Sequence, residues 1–257
     1  MSKGKIIKDW WDNAALFYQK EFNLPIDDIY YGPFCPSEKE LNLLNVDTIQ
    51  DKKILELGCG GGQNGIFLTN HGAVYSGIDI SKEQIEYAKK LAKNNHLDID
   101  YSVDAAENLK KFHDNTFDLV ISIFAIQYVK DIGRCFREIR RVLKDDGGFI
   151  FSLDHPFYSV VSPELAIEFS YHSDEVSESI KTSNIISQKT WPGGDKQKFS
   201  FYYRKISDFY SHLVDAGLFV TEIKEPVLLK SNDPWSKVYS KKLAEYIPPT
   251  IIFIVKK

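Results

Sequence analysis

The sequence predicts an α/β fold organised on a mostly parallel sheet, and three observations carry that reading. From residue 53 onward, short apolar runs alternate with segments of helical periodicity, the pattern of right-handed β-α-β units. The first run, Lys53-Ile54-Leu55-Glu56-Leu57, passes straight into Gly58-Cys59-Gly60-Gly61-Gly62, a turn whose glycines let a ligand approach the backbone closely. Acids stand at or near the ends of three successive runs, at Glu56, Asp79 and Asp104, and the carboxyl ends of strands are where open α/β sheets bind ligands.

Whole-chain properties narrow the classes. A chain of 257 residues can form one large α/β domain with a decorated face. Hydrophobic residues at 43% and charged residues at 26% are ordinary for a globular protein. A net charge of −4 offers no general attraction for nucleic acid or anionic lipid, so neither is an expected partner. Cys35, Cys59 and Cys135 lack metal-type spacing, so no metal site is expected, and an odd count argues against a disulfide framework. Reduced thiols in the cytoplasm are the simpler reading. The N-terminus is charged within its first nine residues, without a signal-peptide core. The longest apolar stretch, near Leu119–Ile126, is interrupted by Ser122 and too short to cross a bilayer.

In chain order, Ile6, Trp10, Ala14, Phe17 and Tyr18 predict a helix over 6–22, ended by Leu24-Pro25. Ser37 with Glu40 reads as a capping box for a short second helix. Strands are expected at 53–57, 74–78, 99–103, 117–123 and 148–153. Helices are expected at 63–70, after a Ser81 cap with Gln84 three residues on, and after Asp131, whose stripe carries Ile132, Cys135, Phe136, Ile139, Val142 and Leu143. The alternation stops at 155–205, an insertion with an expected helix near 163–169 and strands near 184–191 and 198–204. It resumes with a helix capped by Ser207 and ending at Gly217, then strands at 218–223 and 250–255, separated by a second insertion at 226–248.

Two ligand classes suit the glycine turn. Gly60, Gly62 and Gly65 spell the dinucleotide fingerprint, but counting from Gly58 places Gln63 at the third position. Glu56 would repel a pyrophosphate and favour a cation. Asp79, 21 residues after Gly58, stands where an acid accepts ribose hydroxyls. The acids therefore favour a cationic, adenosine-bearing ligand over a dinucleotide.

Glu56-Leu57-Gly58-Cys59-Gly60-Gly61-Gly62, Gly77-Ile78-Asp79-Ile80-Ser81, Asp104-Ala105-Ala106-Glu107 and Phe117-Asp118-Leu119-Val120-Ile121-Ser122 resemble the class I S-adenosylmethionine-dependent methyltransferases. Val142-Leu143-Lys144-Asp145-Asp146-Gly147-Gly148 adds the approach to the fifth strand, and the nearest branch is that of the ubiquinone/menaquinone C-methyltransferases. The resemblance implies a Rossmann-like, seven-stranded, mostly parallel sheet with helices on both faces, an antiparallel last strand and a lid insertion. It implies S-adenosylmethionine as cofactor, with Glu56, Gly58, Cys59 and Gly60 around the methionine portion, Asp79 at the ribose and Ile80 on the adenine face. Asp104, Ala105 and Ala106 would meet the adenine edge, and Ser122, Ile123 and Gln127 would floor the site near the sulfonium. The Asn/Asp-Pro-Pro-Tyr motif of relatives that methylate exocyclic amines is replaced by Ser122-Ile123-Phe124-Ala125.

The expected organisation is one domain over 1–257: N-terminal lid helices at 1–45, a cofactor-binding core at 53–154, a substrate-side insertion at 155–205 and sheet completion at 206–257. The expected activity is in-line methyl transfer to a small-molecule acceptor at oxygen or carbon. Aromatic residues crowd into 10–34 and 157–210; they are read as packing, or as the wall of a pocket for an apolar or planar acceptor. A base is required only where the nucleophile must lose a proton. His155, in Asp154-His155-Pro156 after the fifth strand, is the first candidate, and Tyr18 the second. A nicotinamide-dependent oxidoreductase, an aminopropyl transferase and a non-catalytic S-adenosylmethionine-binding protein are the competing classes.

Overall fold

The computed structural model describes residues 3–161, 165–167, 171 and 201–257. Helix α1 (Lys3–Phe22) opens the chain and stops where Asn23 turns left-handed at φ 43° ahead of Leu24-Pro25. Helix α2 (Glu38–Leu41) follows, and Glu40 Oε2 accepts from Ser37 N at 3.0 Å, half of the expected capping box. Then come β1 (Lys53–Leu57), α3 (Gln63–Asn70), β2 (Val74–Asp79), α4 (Lys82–Asn94) and β3 (Asp100–Val103). They are followed by β4 (Phe117–Ile123), α5 (Ile132–Val142) and β5 (Leu143–Asp154). The chain closes with α6 (Ile206–Asp215), β6 (Phe219–Lys224), α7 (Lys241–Ala244) and β7 (Thr250–Lys256). Two expected caps are made: Ser81 Oγ accepts from Gln84 N at 3.2 Å, and Asp131 Oδ1 from Arg134 N at 2.9 Å.

The strands form one sheet in the order β3-β2-β1-β4-β5-β7-β6, all parallel except β7, which lies antiparallel between β5 and β6. The connection order reverses between β1 and β4, which creates a crevice at their carboxyl ends. One face of the sheet packs against α5 and α6 through Leu55, Phe136, Ile139, Phe149, Phe151, Phe209 and Phe253. The other packs against α3, α4 and the segment after α1 through Ile29, Tyr31, Ile54, Ile66, Ile85, Ile121 and Ile150. Period-two alternation therefore places Glu56 on the face of Ile54, and Asp154 on the face of Ile150.

Three expectations change. Residues 165–167 are not helical; Ile167 instead pairs with Val161 in an isolated antiparallel bridge, which takes the place of helical hydrogen bonding. Ser207 lies inside α6 rather than at its cap. Lys205 is the cap residue, because the Asp208 carboxylate reaches back to Lys205 N at 2.8 Å. Residues 201–204 are not a strand, and Tyr202 N donates to the Gln127 carbonyl at 2.9 Å. The strand expected near 184–191, Trp191 included, lies outside the described residues.

Candidate functional site

At the carboxyl ends of β1, β2 and β4 the described residues line a cavity. Of the residues expected to bind cofactor, Glu56, Gly58, Cys59, Gly60, Asp79, Ile80, Asp104, Ala105, Ala106, Ser122 and Ile123 all line it. Gln127 does not. It is buried, and its carbonyl is spent on Tyr202 N.

The glycine turn is shaped by what passes over it. Gly58 has φ 72°, and a Cβ there would stand 2.3 Å from the Ala125 Cβ beyond β4. A Cβ on Gly61 would stand 2.4 Å from Gln19 Nε2 of α1. Gly65, the third glycine of the literal dinucleotide fingerprint, faces the protein instead: its Cβ would meet the Tyr101 hydroxyl at 2.3 Å. That glycine serves helix packing, which removes the pattern as evidence for a dinucleotide.

The acids at the cavity are held by neutral donors. Glu56 accepts from Asn64 Nδ2 at 2.8 Å and from the Tyr75 hydroxyl, and its burial pushes the carboxyl up to about 7 against the lowering effect of those bonds. Asp79 accepts from Gly60 N at 2.9 Å and Ser81 N at 2.8 Å, tying the end of β2 to the turn, and burial raises it to about 6. Asp104 Oδ1 accepts from Ala105 N at 2.9 Å and Asn108 Nδ2 at 3.1 Å. Among the described residues no lysine or arginine pairs with Glu56 or Asp79. A buried Glu56 and a half-buried Asp79 without a counter-ion favour a cationic ligand, which fits a sulfonium and ammonium and disfavours a pyrophosphate.

The opposite wall is aromatic, and most of it was not singled out from sequence. Trp11 packs edge-on to Tyr18 and to Tyr128, at centroid distances of 5.4 and 5.5 Å. Trp235, from the second insertion, stacks on Phe124 at 5.8 Å and 12°. Its Nε1 donates to the Tyr18 hydroxyl oxygen at 2.6 Å. Phe124 sits just past β4 at φ 55°, an unfavourable conformation for a bulky residue and of the kind found at ligand sites. Helical spacing in 6–22 pointed to Trp10 and Tyr18; Trp11 lies beside that stripe, and nothing in the sequence linked Trp235 to residues 217 positions earlier.

The two candidate bases separate. Tyr18 lines the cavity, and burial raises its hydroxyl to about 12, so it stays protonated and acts as a neutral hydrogen-bonding group. His155 is corrected: it does not line the cavity. Its Nδ1 accepts from Phe157 N at 3.1 Å, and its Nε2 stands 2.8 Å from Glu225 Oε1. In that arrangement the ring donates through Nε2, and no lone pair is left to take a substrate proton. Arg204 is likewise structural, donating through Nη2 to the carbonyls of Val129 and Lys130 at 2.9 and 2.8 Å.

Comparison with known proteins identifies the family. Residues 55–151 match a family model described as a methyltransferase domain. A ubiquinone biosynthesis O-methyltransferase from Pelagibacter ubique is 33% identical over 167 residues, 64% of this chain and 68% of the relative. A solved S-adenosylmethionine-dependent methyltransferase from Mesorhizobium loti shares the fold at TM-score 0.64 and 21% identity, over 85% of this chain and 97% of that one. A geranyl diphosphate C-methyltransferase from Streptomyces coelicolor A3(2) superposes at TM-score 0.66 and 14% identity, over 100% of this chain and 98% of the other. With a carboxylate-lined, cation-seeking cavity at the switch point of such a sheet, this chain belongs to the class I S-adenosylmethionine-dependent methyltransferases.

Proposed function

We propose that this enzyme transfers the methyl group of S-adenosylmethionine to a small molecule with an aromatic or apolar body, at oxygen or carbon, and most readily at an aromatic hydroxyl. The observation that carries the reading is the wall of Trp11, Tyr18, Phe124, Tyr128 and Trp235 facing the end of β4. Planar rings there bury an apolar acceptor and exclude water from the reacting centre. The names of two similar proteins, an O-methyltransferase and a C-methyltransferase, support the same two atom types.

S-adenosylmethionine supplies an activated methyl group. In this reading Gly58, Cys59, Gly60 and Glu56 hold its methionine portion, Asp79 its ribose hydroxyls, Ile80 one face of the adenine, and Asp104 to Ala106 the adenine edge. Ser122 and Ile123 form the floor. The N-terminal 1–45 closes over the core at 53–154, with 206–257 completing the sheet, and the protein works in the cytoplasm; most of the substrate-side insertion expected at 155–205 lies outside the described residues. No described helix is long and apolar enough to cross a membrane. Incubation with S-adenosylmethionine and a panel of phenols, aliphatic alcohols, carbon acids and amines, read by S-adenosylhomocysteine release, tests the acceptor class. Turnover confined to the amines would overturn it.

A further inference from the structure

Tyr18 and Trp235 both line the cavity, and the hydrogen bond between them uses only half of the Tyr18 hydroxyl. Trp235 Nε1 donates to the Tyr18 oxygen at 2.6 Å. An indole N–H can only donate, so the hydrogen of the hydroxyl has to turn elsewhere. Among the described residues no group accepts it. Burial raises the hydroxyl to about 12, so that hydrogen stays in place at neutral pH. The cavity wall therefore holds a neutral donor with an open direction.

Its surroundings place this donor on the acceptor side of the site. Gln19, the next residue of α1, is the one that covers the glycine turn. A Cβ on Gly61 would stand 2.4 Å from Gln19 Nε2, and the Gln19 amide is bonded to Gln84 and Gln63. Tyr18, one step round the same helix, meets Trp235 instead, whose ring stacks on Phe124 just past β4. The Tyr18 ring is packed between Trp11 and Phe22, at centroid distances of 5.4 and 4.6 Å. A ring clamped on its faces and held at its oxygen has little freedom, so the donor is aimed before any ligand arrives.

We propose that Tyr18 donates its hydroxyl hydrogen to the methyl acceptor and selects molecules with an oxygen lone pair apart from the atom that is methylated, with Trp235 as the positioning residue that orients the hydroxyl; this rests on the acceptor class proposed above. The oxygen is a second one because a lone pair tied to a donor is less available to attack the sulfonium methyl. A carbonyl, ether or hydroxyl oxygen on the acceptor ring meets the need. A ligand that fills the cavity takes the place of solvent at Tyr18, and one without a lone pair there leaves the O–H unpaired at a cost. Trp11, Phe124 and Tyr128 recognise apolar area, which any ring of the right size supplies; Tyr18 recognises an atom. Sites that hydrogen-bond a ligand discriminate against its isostere in this way.

The test uses the full chain saturated with S-adenosylhomocysteine and two matched pairs of probes, 2-methoxyphenol with 2-ethylphenol and 4-methoxyphenol with 4-ethylphenol. Within a pair an ether oxygen replaces a methylene and the shape is kept. Calorimetry gives the affinity ratio within each pair, and comparing that ratio between proteins cancels the different hydrophobicity of the probes. Tyr18→Phe should lower the ether-over-alkyl ratio about tenfold in at least one pair, the scale of one neutral hydrogen bond. Trp235→Phe keeps a ring on Phe124 and removes the N–H, so it should lower the same ratio about threefold. Loss of wall packing alone would weaken both members of a pair alike and leave the ratio where it was. An unmoved ratio in both pairs on Tyr18→Phe overturns the selection, and a loss of S-adenosylhomocysteine affinity with the ratio intact does so by assigning the hydroxyl to the cofactor. If Tyr18→Phe does not fold, the ratio in Trp235→Phe decides in the same way. A wild-type protein that binds none of the four probes overturns the acceptor class proposed above, and this selection with it.

Discussion

At the scale of single residues, the site turns on carboxylates whose neighbours are amides and hydroxyls rather than cations. Asp79 shows the consequence. Its two oxygens are held by Gly60 N and Ser81 N, so the acid that is to meet the ribose also sets the shape of the glycine turn. Asp79→Ala should weaken S-adenosylmethionine binding by at least about 1.5 kcal/mol, the value of a lost charge-assisted hydrogen bond. Calorimetry would measure it, and an unchanged affinity would take Asp79 away from the ribose. The neighbouring pair Asp154 and His155 shows what one residue of register does. Successive side chains leave a strand on opposite faces; Asp154 joins the face bearing Ile150, and His155 is spent on Glu225 and Phe157.

At the scale of elements, α1 is fastened to the cradle through side chains. Gln19 Nε2 donates to Gln84 Oε1 at 2.8 Å, and Gln63 Nε2 donates to Gln19 Oε1, so one amide of α1 joins the first turns of α3 and α4. Asp12 adds a second fastening by accepting from Ser81 Oγ at 2.8 Å, the cap of α4. Gln19, Gln63 and Gln84 are all buried. Gln19→Ala should therefore cost about 1–3 kcal/mol, since it leaves two buried amide groups short of a partner; an unchanged urea midpoint would show that α1 sits on the cradle without being held there. This fastening marks where legibility ended. The strands and helices of 53–154 were readable because period and caps are local properties, as at Ser81 and Asp131. The Gln19–Gln63–Gln84 contacts and the Trp235–Tyr18 pair join residues 44 to 217 positions apart, and no local pattern carries them. At α6 the cap lies two residues before Ser207, at Lys205, whose amide donates to the Asp208 carboxylate.

At the scale of the molecule, the carboxyl edge of the sheet trades stability for a site. Burial raises Glu56 to about 7, Asp79 to about 6 and Asp154 to about 6, at the ends of β1, β2 and β5. A carboxyl whose folded-state value is raised binds more protons in the native than in the unfolded chain across that window, so its contribution to stability is present at low pH and is lost as pH rises through the folded value. For Glu56 alone the loss is at most about 3 kcal/mol, at about 1.4 kcal/mol per unit. His155, lowered by burial, works in the opposite direction near its own range. Asp12, Asp118 and Glu138 are lowered, and their contributions are already complete above about pH 5. The ligand-free protein should thus melt at lower temperature at pH 8 than at pH 5.5. A cationic donor reverses the sign, because it favours the ionised forms of the acids it meets. The rise in melting temperature on adding S-adenosylmethionine should therefore be larger at pH 8 than at pH 5.5, while the anionic NAD should give no rise at either. Equal shifts with S-adenosylmethionine at both pH values would mean that Glu56 and Asp79 do not change protonation as the donor binds, and the charge argument for the cofactor would fall while the fold argument stood.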